Sequence, residues 1–186
     1  MAFVLSENNK KIAEKEIKKY PQDRKSSAVK SILHLAQKQN GGWINQEIIE
    51  YVSNYLEMPH IRVHEVASFY NMFHLNPVGK YNIQFCGTTP CMLCGSEDLM
   101  KNALNHMNIK LGEVTSDGFF SAEEVECVGA CSNAPVVMIN DDYYEDLTSE
   151  NLIEIIDALK EGKEVKTGSY TGRKSSEPIG YNGGES

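Results

Sequence analysis

The sequence predicts an α/β protein made of a helical subdomain followed by a small α/β sandwich. Through residues 1–76, apolar residues recur at the spacing of amphipathic helices. Across residues 77–166, alternating and apolar runs separate amphipathic stretches in the order β-α-β-β-α. Residues 167–186 are rich in Gly, Ser and Tyr without periodicity, so we expect a flexible C-terminal tail or a strap across a partner.

The first subdomain is predicted to be all-helical. Pro21 ends the first helix, a glycine pair ends the second, and Pro59 occupies the first turn of the fourth. Phe69, Tyr70 and Phe73 stand at helical spacing and are expected in the core. The predicted helices cover residues 9–19, 27–39, 45–56 and 59–73.

In the second subdomain, two predicted strands deliver cysteines. Residues 81–85 lead into Cys86, and residues 119–125 lead into Cys127. Thr148 is expected to cap the last helix. The remaining elements are a helix over 95–107, a hairpin of strands 135–140 and 143–147, and a helix over 149–160. This order is that of a sandwich of thioredoxin type.

Four of the five cysteines lie in two short loops. Cys86 and Cys91 are spaced C-x4-C, and Cys127 and Cys131 are spaced C-x3-C. Small, turn-forming residues surround both pairs, so the backbone can direct several N–H groups inward. Four converging thiolates suit an iron–sulfur cluster or a zinc ion, and the hydroxyls of the Thr88-Thr89 pair can add donors that tune a potential.

Spacing alone leaves the ligand set open because Cys94 is a fifth candidate. One set is Cys86, Cys91, Cys127 and Cys131, and the other exchanges Cys131 for Cys94 in a plant-type ferredoxin pattern. Cys91 and Cys94 also form a C-x-x-C, which can act as a dithiol redox pair. Structural zinc is a third possibility, although the spacings differ from the usual C-x2-C pattern.

Composition narrows the class of function. The net charge of −8 and the pI of about 5.2 argue against nucleic-acid binding, which needs clustered Lys and Arg. The sequence shows no long apolar run, signal peptide or transit peptide, so we expect a cytoplasmic protein whose cysteines are metal ligands or redox groups.

His60 and His64 are four apart but lack a zinc motif, and no nucleotide-binding loop is present.

The cysteine motifs and their context carry a resemblance to a known family. Cys-Gly-Thr-Thr-Pro-Cys at residues 86–91 and Glu-Cys-Val-Gly-Ala-Cys at residues 126–131 resemble the thioredoxin-like [2Fe–2S] ferredoxins. Within that family the sequence is similar to the 24-kDa subunits of respiratory NADH–quinone oxidoreductase, or complex I. The similarity extends over residues 10–165 and includes Val-Ala-Ser-Phe-Tyr at residues 66–70.

The resemblance implies a function and a site. It implies one [2Fe–2S] cluster held by Cys86, Cys91, Cys127 and Cys131, with Cys94 outside the ligand motif. It further implies an electron carrier without a substrate site of its own, which accepts single electrons from FMN. FMN and NADH would be bound by a partner flavoprotein subunit among the other peripheral-arm subunits. The expected location is peripheral, at the cytoplasmic face of the inner membrane or on the matrix side of an organelle, with no membrane insertion and no nucleic acid.

Other classes of function stay open at this stage. A thiol–disulfide oxidoreductase would use Cys91 and Cys94. The equivalent subunit of an NAD-linked hydrogenase or formate dehydrogenase would share the same motifs. The first subdomain also allows a helix-turn-helix DNA binder, but its helices lack a basic face, so a docking module is favoured.

Overall fold

A computed structural model describes residues 3–175 of the chain. The chain divides into two compact units, with the boundary between Val78 and Gly79. The α/β class expected from the sequence is confirmed by the helices and the mixed sheet. No helix between residues 3 and 175 is both long enough and apolar enough to cross a bilayer.

The first unit is helical. Side-chain caps begin two of its helices, because Ser6 accepts a hydrogen bond from the amide of Asn9 and Asn45 accepts one from the amide of Ile48. Apolar stripes of all four helices contribute to one core, which includes Ala13, Ile32, Leu33, Ile48, Val52 and Val63. The helices are α1 (Glu7–Ile17), α2 (Val29–Gln39), α3 (Gln46–Leu56) and α4 (His60–Phe69), with a 3₁₀ segment at Gln22–Ala28 before α2.

Helix α4 is shorter than the 59–73 helix that the sequence predicts. It ends at Phe69, and Tyr70 adopts an extended conformation. Phe69 is 76% exposed, so its assignment to the core was wrong, whereas Phe73 is buried as expected.

A tertiary contact explains the early end of α4. The side-chain amide of Gln37 donates to the carbonyl of Met72 at 2.9 Å and accepts from the amide of His74 at 2.9 Å. The amide of Phe73 bonds back to the carbonyl of Tyr70 at 3.0 Å. These bonds satisfy the backbone of a turn, so the chain leaves the helix and brings Phe73 into the core from the turn.

The second unit is a five-stranded mixed sheet with helices. Strand order is β2-β1-β3-β4-β5. Strands β1 and β2 are parallel, β3 is antiparallel to both β1 and β4, and β4 and β5 are parallel. The elements are β1 (Tyr81–Cys86), α5 (Thr89–Leu93), α6 (Ser96–Met107), β2 (Phe120–Val125), β3 (Val137–Ile139), β4 (Asp142–Glu145), α7 (Ser149–Lys160) and β5 (Gly168–Ser169).

One face of the sheet forms the core of this unit with α6 and α7. Side chains alternate along each strand, so Ile83 and Phe85 of β1 share that face with Phe120 and Ala122 of β2. Helices α6 and α7 contribute Leu99, Ala103, Leu152, Ile155, Ile156 and Leu159. The cap at Thr148 forms as predicted, with its hydroxyl accepting from the amide of Asn151.

The chain after residue 167 differs from the tail that the sequence predicts. Gly168 and Ser169 pair with β4, and the amide of Tyr170 donates to the carbonyl of Glu145 at 3.0 Å. Such a short pairing has no strand pattern of its own and depends on the edge of β4 for its hydrogen bonds. The rest of the predicted tail, residues 176–186, lies outside the described residues.

A core substitution tests this account of the sheet. Ile83 is fully buried in β1, three residues before Cys86, so Ile83→Ala is expected to lower the free energy of unfolding by about 2–5 kcal/mol. Leu111→Ala is the control, because Leu111 is 41% exposed and a surface change costs about 0.5 kcal/mol or less. Urea unfolding followed by circular dichroism measures both, and equal losses would contradict the burial of Ile83.

Candidate metal centre

The two cysteine loops begin at the same edge of the sheet. Because β1 and β2 are parallel and Cys86 lies opposite Val125, both strands end at this edge. The amide of Gly87 donates to the carbonyl of Val125 at 3.2 Å, which extends the pairing by one residue. On the other side of β1, the amide of Cys86 donates to the carbonyl of Val136 at 3.3 Å. Cys86 is thereby fixed by the sheet on both sides.

Cys91 lies on a short helix that sequence analysis missed. Helix α5 (Thr89–Leu93) fills the interval that we expected to be a loop, and Pro90 occupies its first turn. Cys91 is buried, whereas Cys94 at the end of the helix is exposed. Proline in a first turn was the available signal, but the segment is too short for helical periodicity.

The second loop brings its two cysteines together directly. Cys127 Sγ and Cys131 Sγ are 3.2 Å apart. Gly129 between them has φ of +90°, a conformation that other residues rarely adopt. Cys131 opens a 3₁₀ turn that ends at Asn133. Thus a local turn pairs Cys127 with Cys131, as the C-x3-C spacing requires.

The surroundings of Cys86 favour its thiolate. Burial opposes ionisation, but hydrogen bonds from the Thr88 hydroxyl and from the amides of Thr88 and Val128 outweigh it and lower the pKa of Cys86. The Thr88 Oγ1 to Cys86 Sγ distance is 3.3 Å. Since Val128 belongs to the second loop, its bond to Cys86 joins the two cysteine loops at the sulfur itself.

The four thiols form two hydrogen-bonded pairs, Cys86 with Cys91 and Cys127 with Cys131. Burial and a hydrogen bond with Cys86 raise the pKa of Cys91 to about 12. In the second loop, a bond from the Cys131 thiol lowers the pKa of Cys127 and raises that of Cys131. In each pair, therefore, the pKa of one sulfur is lowered and that of the other is raised.

Cys94 stands apart from this arrangement. Within residues 3–175 it hydrogen-bonds to none of the other four thiols, and it is exposed. The same residues contain no group of three or more His, Cys, Asp or Glu side chains arranged to hold one metal ion. A binuclear iron–sulfur cluster, in contrast, needs only two thiolates for each of its two irons.

Apolar side chains surround the two thiols of the first loop, whereas Cys127 and Cys131 are exposed. Cys86, Cys91 and Val136 form a small buried cluster. Partly buried side chains pack against it, namely Val128, Ala130, Ala134 and Tyr143. The Tyr143 hydroxyl donates to the carbonyl of Val128 at 2.9 Å, which ties the second loop to β4. Apolar surroundings of this kind control the access of solvent to a metal centre and its reduction potential.

Asn133 is a residue of the site region that sequence analysis did not single out. It is 1% exposed, and its Nδ2 donates to Glu145 Oε2 at 2.8 Å and to the carbonyl of Arg173 at 3.2 Å. Its own carbonyl accepts from the amide of Asp146 at 2.8 Å. Asn133 therefore joins the end of the second cysteine loop to β4 and to the segment after β5.

That C-terminal segment is itself fixed by Asp146. The side chain of Asp146 is 6% exposed, accepts from Ser169 Oγ at 2.6 Å and pairs with the Arg173 guanidinium at 2.5 Å. The amide of Arg173 donates to Ser169 Oγ at 2.9 Å. No local sequence signal predicts the two bonds to Asp146, because they join residues more than twenty positions apart.

Comparison with known proteins identifies relatives over most of the sequence. The sequence model of a family described as thioredoxin-like [2Fe-2S] ferredoxin matches residues 13–160, which contain all five cysteines. A subunit of the NADH-quinone oxidoreductase of Rickettsia bellii (strain RML369-C) is 57% identical over 158 residues, 85% of this chain and 95% of the relative. NADH dehydrogenase [ubiquinone] flavoprotein 2, mitochondrial, of Dictyostelium discoideum is 44% identical over 175 residues, 94% of this chain and 71% of the relative.

A solved structure shares the fold. A chain of the NAD+-reducing [NiFe]-hydrogenase in the air-oxidized state matches with a TM-score of 0.64 and 21% sequence identity. The match covers 73% of this chain and 23% of that chain. At this level of identity, the likeness concerns the fold alone.

A charge substitution tests the role of Asn133. In Asn133→Asp a buried carboxylate replaces the donor that faces Glu145 and the Arg173 carbonyl, which is expected to cost about 1–3 kcal/mol of unfolding free energy at neutral pH. The cost should shrink as the pH falls, because protonation of one of the two facing carboxyls restores a donor. Urea unfolding across a pH series measures it.

Ser132→Asp is the matched control for this experiment. It adds the same charge to the same turn, but Ser132 is exposed. We expect a change of about 0.5 kcal/mol or less for the control. Equal destabilisation by both substitutions would contradict the positioning role of Asn133.

Proposed function

Since this chain belongs to the thioredoxin-like [2Fe–2S] ferredoxin family, we propose how its residues hold a cluster and transfer electrons. Its function is that of a [2Fe–2S] electron-transfer subunit of NADH–quinone oxidoreductase, the complex named in a relative that it matches over 95% of that relative's length. The observation that carries this function is the meeting of four thiols, in two pairs, at one edge of the sheet.

The proposed ligands are Cys86, Cys91, Cys127 and Cys131. Together, the pair Cys86 and Cys91 and the pair Cys127 and Cys131 would provide the four thiolates that a binuclear cluster needs, two for each iron. This assignment is supported by the 3.2 Å contact within the second pair and by the hydrogen bond between the thiols of the first. The Val128 amide, aimed at Cys86 Sγ, is the kind of donor that sulfur ligands need, so the donor set fits the group.

The protein supplies the environment rather than bond chemistry. When bound, the cluster accepts and releases single electrons. The apolar wall around Val136 and Tyr143 limits access of water to Cys86 and Cys91, and the sheet holds Cys86 from both sides. Because these groups are already placed before an electron arrives, little rearrangement is needed when the charge changes.

The electron donor belongs to a partner. FMN and NADH are bound by a flavoprotein subunit of the complex, and this chain accepts single electrons from the flavin. The further subunits of the peripheral arm complete the assembly. The proposed location is the cytoplasmic face of the inner membrane, or the matrix side in an organelle. The support for this location is that the relatives are named for a complex that reduces quinone.

The alternative thiol–disulfide activity is less well supported by the geometry. A dithiol oxidoreductase needs both thiols of Cys91 and Cys94 to ionise during its cycle. Cys91 is 1% exposed and its pKa is raised to about 12 by burial and by its bond with Cys86. Ionisation of Cys91 at neutral pH is therefore disfavoured.

An equivalent role in an NAD-linked hydrogenase or formate dehydrogenase uses the same cysteine chemistry. The likeness to the NAD+-reducing hydrogenase chain covers only 23% of that chain. Three Rickettsia relatives, matched over 93–95% of their length, carry the name of NADH-quinone oxidoreductase. For this reason we favour complex I.

Metal analysis of cysteine variants tests the proposed ligand set. The full-length protein, purified without oxygen, is expected to contain two irons and two sulfides and to give an EPR signal after reduction with dithionite. Cys131→Ser should lose the cluster or change its signal, because one iron loses a thiolate. Cys94→Ser should retain both, since Cys94 is exposed and apart from the other thiols.

The two variants control for each other, because each replaces one exposed cysteine with serine. A cluster that survives in Cys131→Ser but is lost in Cys94→Ser would favour the plant-type set. An iron-free protein that reduces disulfides would overturn the electron-carrier assignment and favour Cys91 and Cys94 as a dithiol.

A further inference from the structure

Thr88 occupies the N-cap position of α5 but does not cap the helix. An N-cap threonine ordinarily accepts a hydrogen bond from an amide of the first turn. In the described part of the chain, Thr88 makes no such side-chain bond. Its hydroxyl instead lies 3.3 Å from Cys86 Sγ. The Thr88 side chain therefore contacts the thiol of Cys86 and does not make the hydrogen bond that would cap the helix.

The same hydroxyl is shared by the two cysteine pairs. Besides its contact with Cys86, the Thr88 side chain bonds to Cys127. The amide of Thr88 also points at Cys86 Sγ. Thr88 thus approaches one sulfur from each pair, whereas the next residue, Thr89, is exposed.

When Cys86 binds a metal, only one of the two groups in its hydrogen bond with Thr88 still has a proton to donate. Without a metal, either the Cys86 thiol or the Thr88 hydroxyl can be the donor. Coordination removes the thiol proton, so a ligating sulfur is an acceptor only. The one proton of the Thr88 hydroxyl is then the donor, and the sulfur accepts it.

We propose that Thr88 is a positioning residue that donates its hydroxyl proton to the sulfur of Cys86 and thereby raises the reduction potential of the centre. The inference depends on the proposed function. Reduction adds one electron and no proton, so negative charge on the sulfurs increases. A hydrogen bond to sulfur stabilises the reduced state more than the oxidised state for that reason.

Redox titration followed by EPR tests the proposal on the full-length protein. Thr88→Val keeps the shape of the side chain and removes the donor. We therefore expect the equilibrium constant for reduction to fall about tenfold, which lowers the reduction potential by about 59 mV for a one-electron couple. Thr88→Ser keeps the hydroxyl and should restore the wild-type potential. Thr89→Val makes the same chemical change at an exposed position and should leave the potential unchanged.

The outcomes separate this inference from the proposed function. A wild-type protein without a [2Fe–2S] signal would overturn the proposed function. A wild-type signal with an unchanged potential in Thr88→Val would overturn the role of Thr88 alone. A shift of equal size in Thr88→Ser would also overturn it, because Thr88→Ser retains the hydroxyl and the shift would then not follow the donor.

A second measurement decides the matter if Thr88→Val fails to hold a cluster. Electron–nuclear double resonance of the reduced wild-type and Thr88→Ser proteins, in ordinary and in heavy water, detects exchangeable protons near the sulfurs. Thr88→Ala is the third protein measured, because it lacks the hydroxyl. We expect its spectrum to lack one exchangeable proton that the wild-type and Thr88→Ser proteins both show. The same spectrum for all three proteins would contradict the proposal.

Discussion

The parallel pairing of β1 with β2 is the constraint on which the site depends. It ends both strands at one sheet edge, with Cys86 opposite Val125, so that loops separated by about forty residues start side by side. A register shift of one residue would turn Cys86 toward the opposite face of the sheet. The amide of Val128 can reach Cys86 Sγ only because this register is kept.

A second layer of contacts holds the second cysteine loop against that edge. Tyr143 binds the carbonyl of Val128, and Asn133 joins the loop to Glu145 and to the segment after β5. Through these bonds the two side chains fix the turn that pairs Cys127 with Cys131. Electron transfer benefits from such rigidity because a fixed environment needs little reorganisation.

The sequence predicted those elements whose formation depends on the pattern of nearby residues, and missed those that depend on tertiary contacts or are too short to show a pattern. Alternation predicts β1, which ends at Cys86, and β2, which ends two residues before Cys127. Helical periodicity predicts the last helix, with Thr148 as its cap. The ligand set stays a prediction based on motif. Helix α5 was too short to show a period, and Phe69 was misassigned because tertiary bonds from Gln37 end α4 early.

Mössbauer spectroscopy of the reduced full-length protein tests the central claim most directly, because it reports the ligands and charge of each iron separately. The account predicts two irons, both coordinated only by sulfur, in one binuclear centre that has taken up a single electron. A nitrogen or oxygen ligand on either iron would contradict the four-cysteine set, and a single mononuclear iron would contradict the pairing of Cys86 with Cys91 and of Cys127 with Cys131.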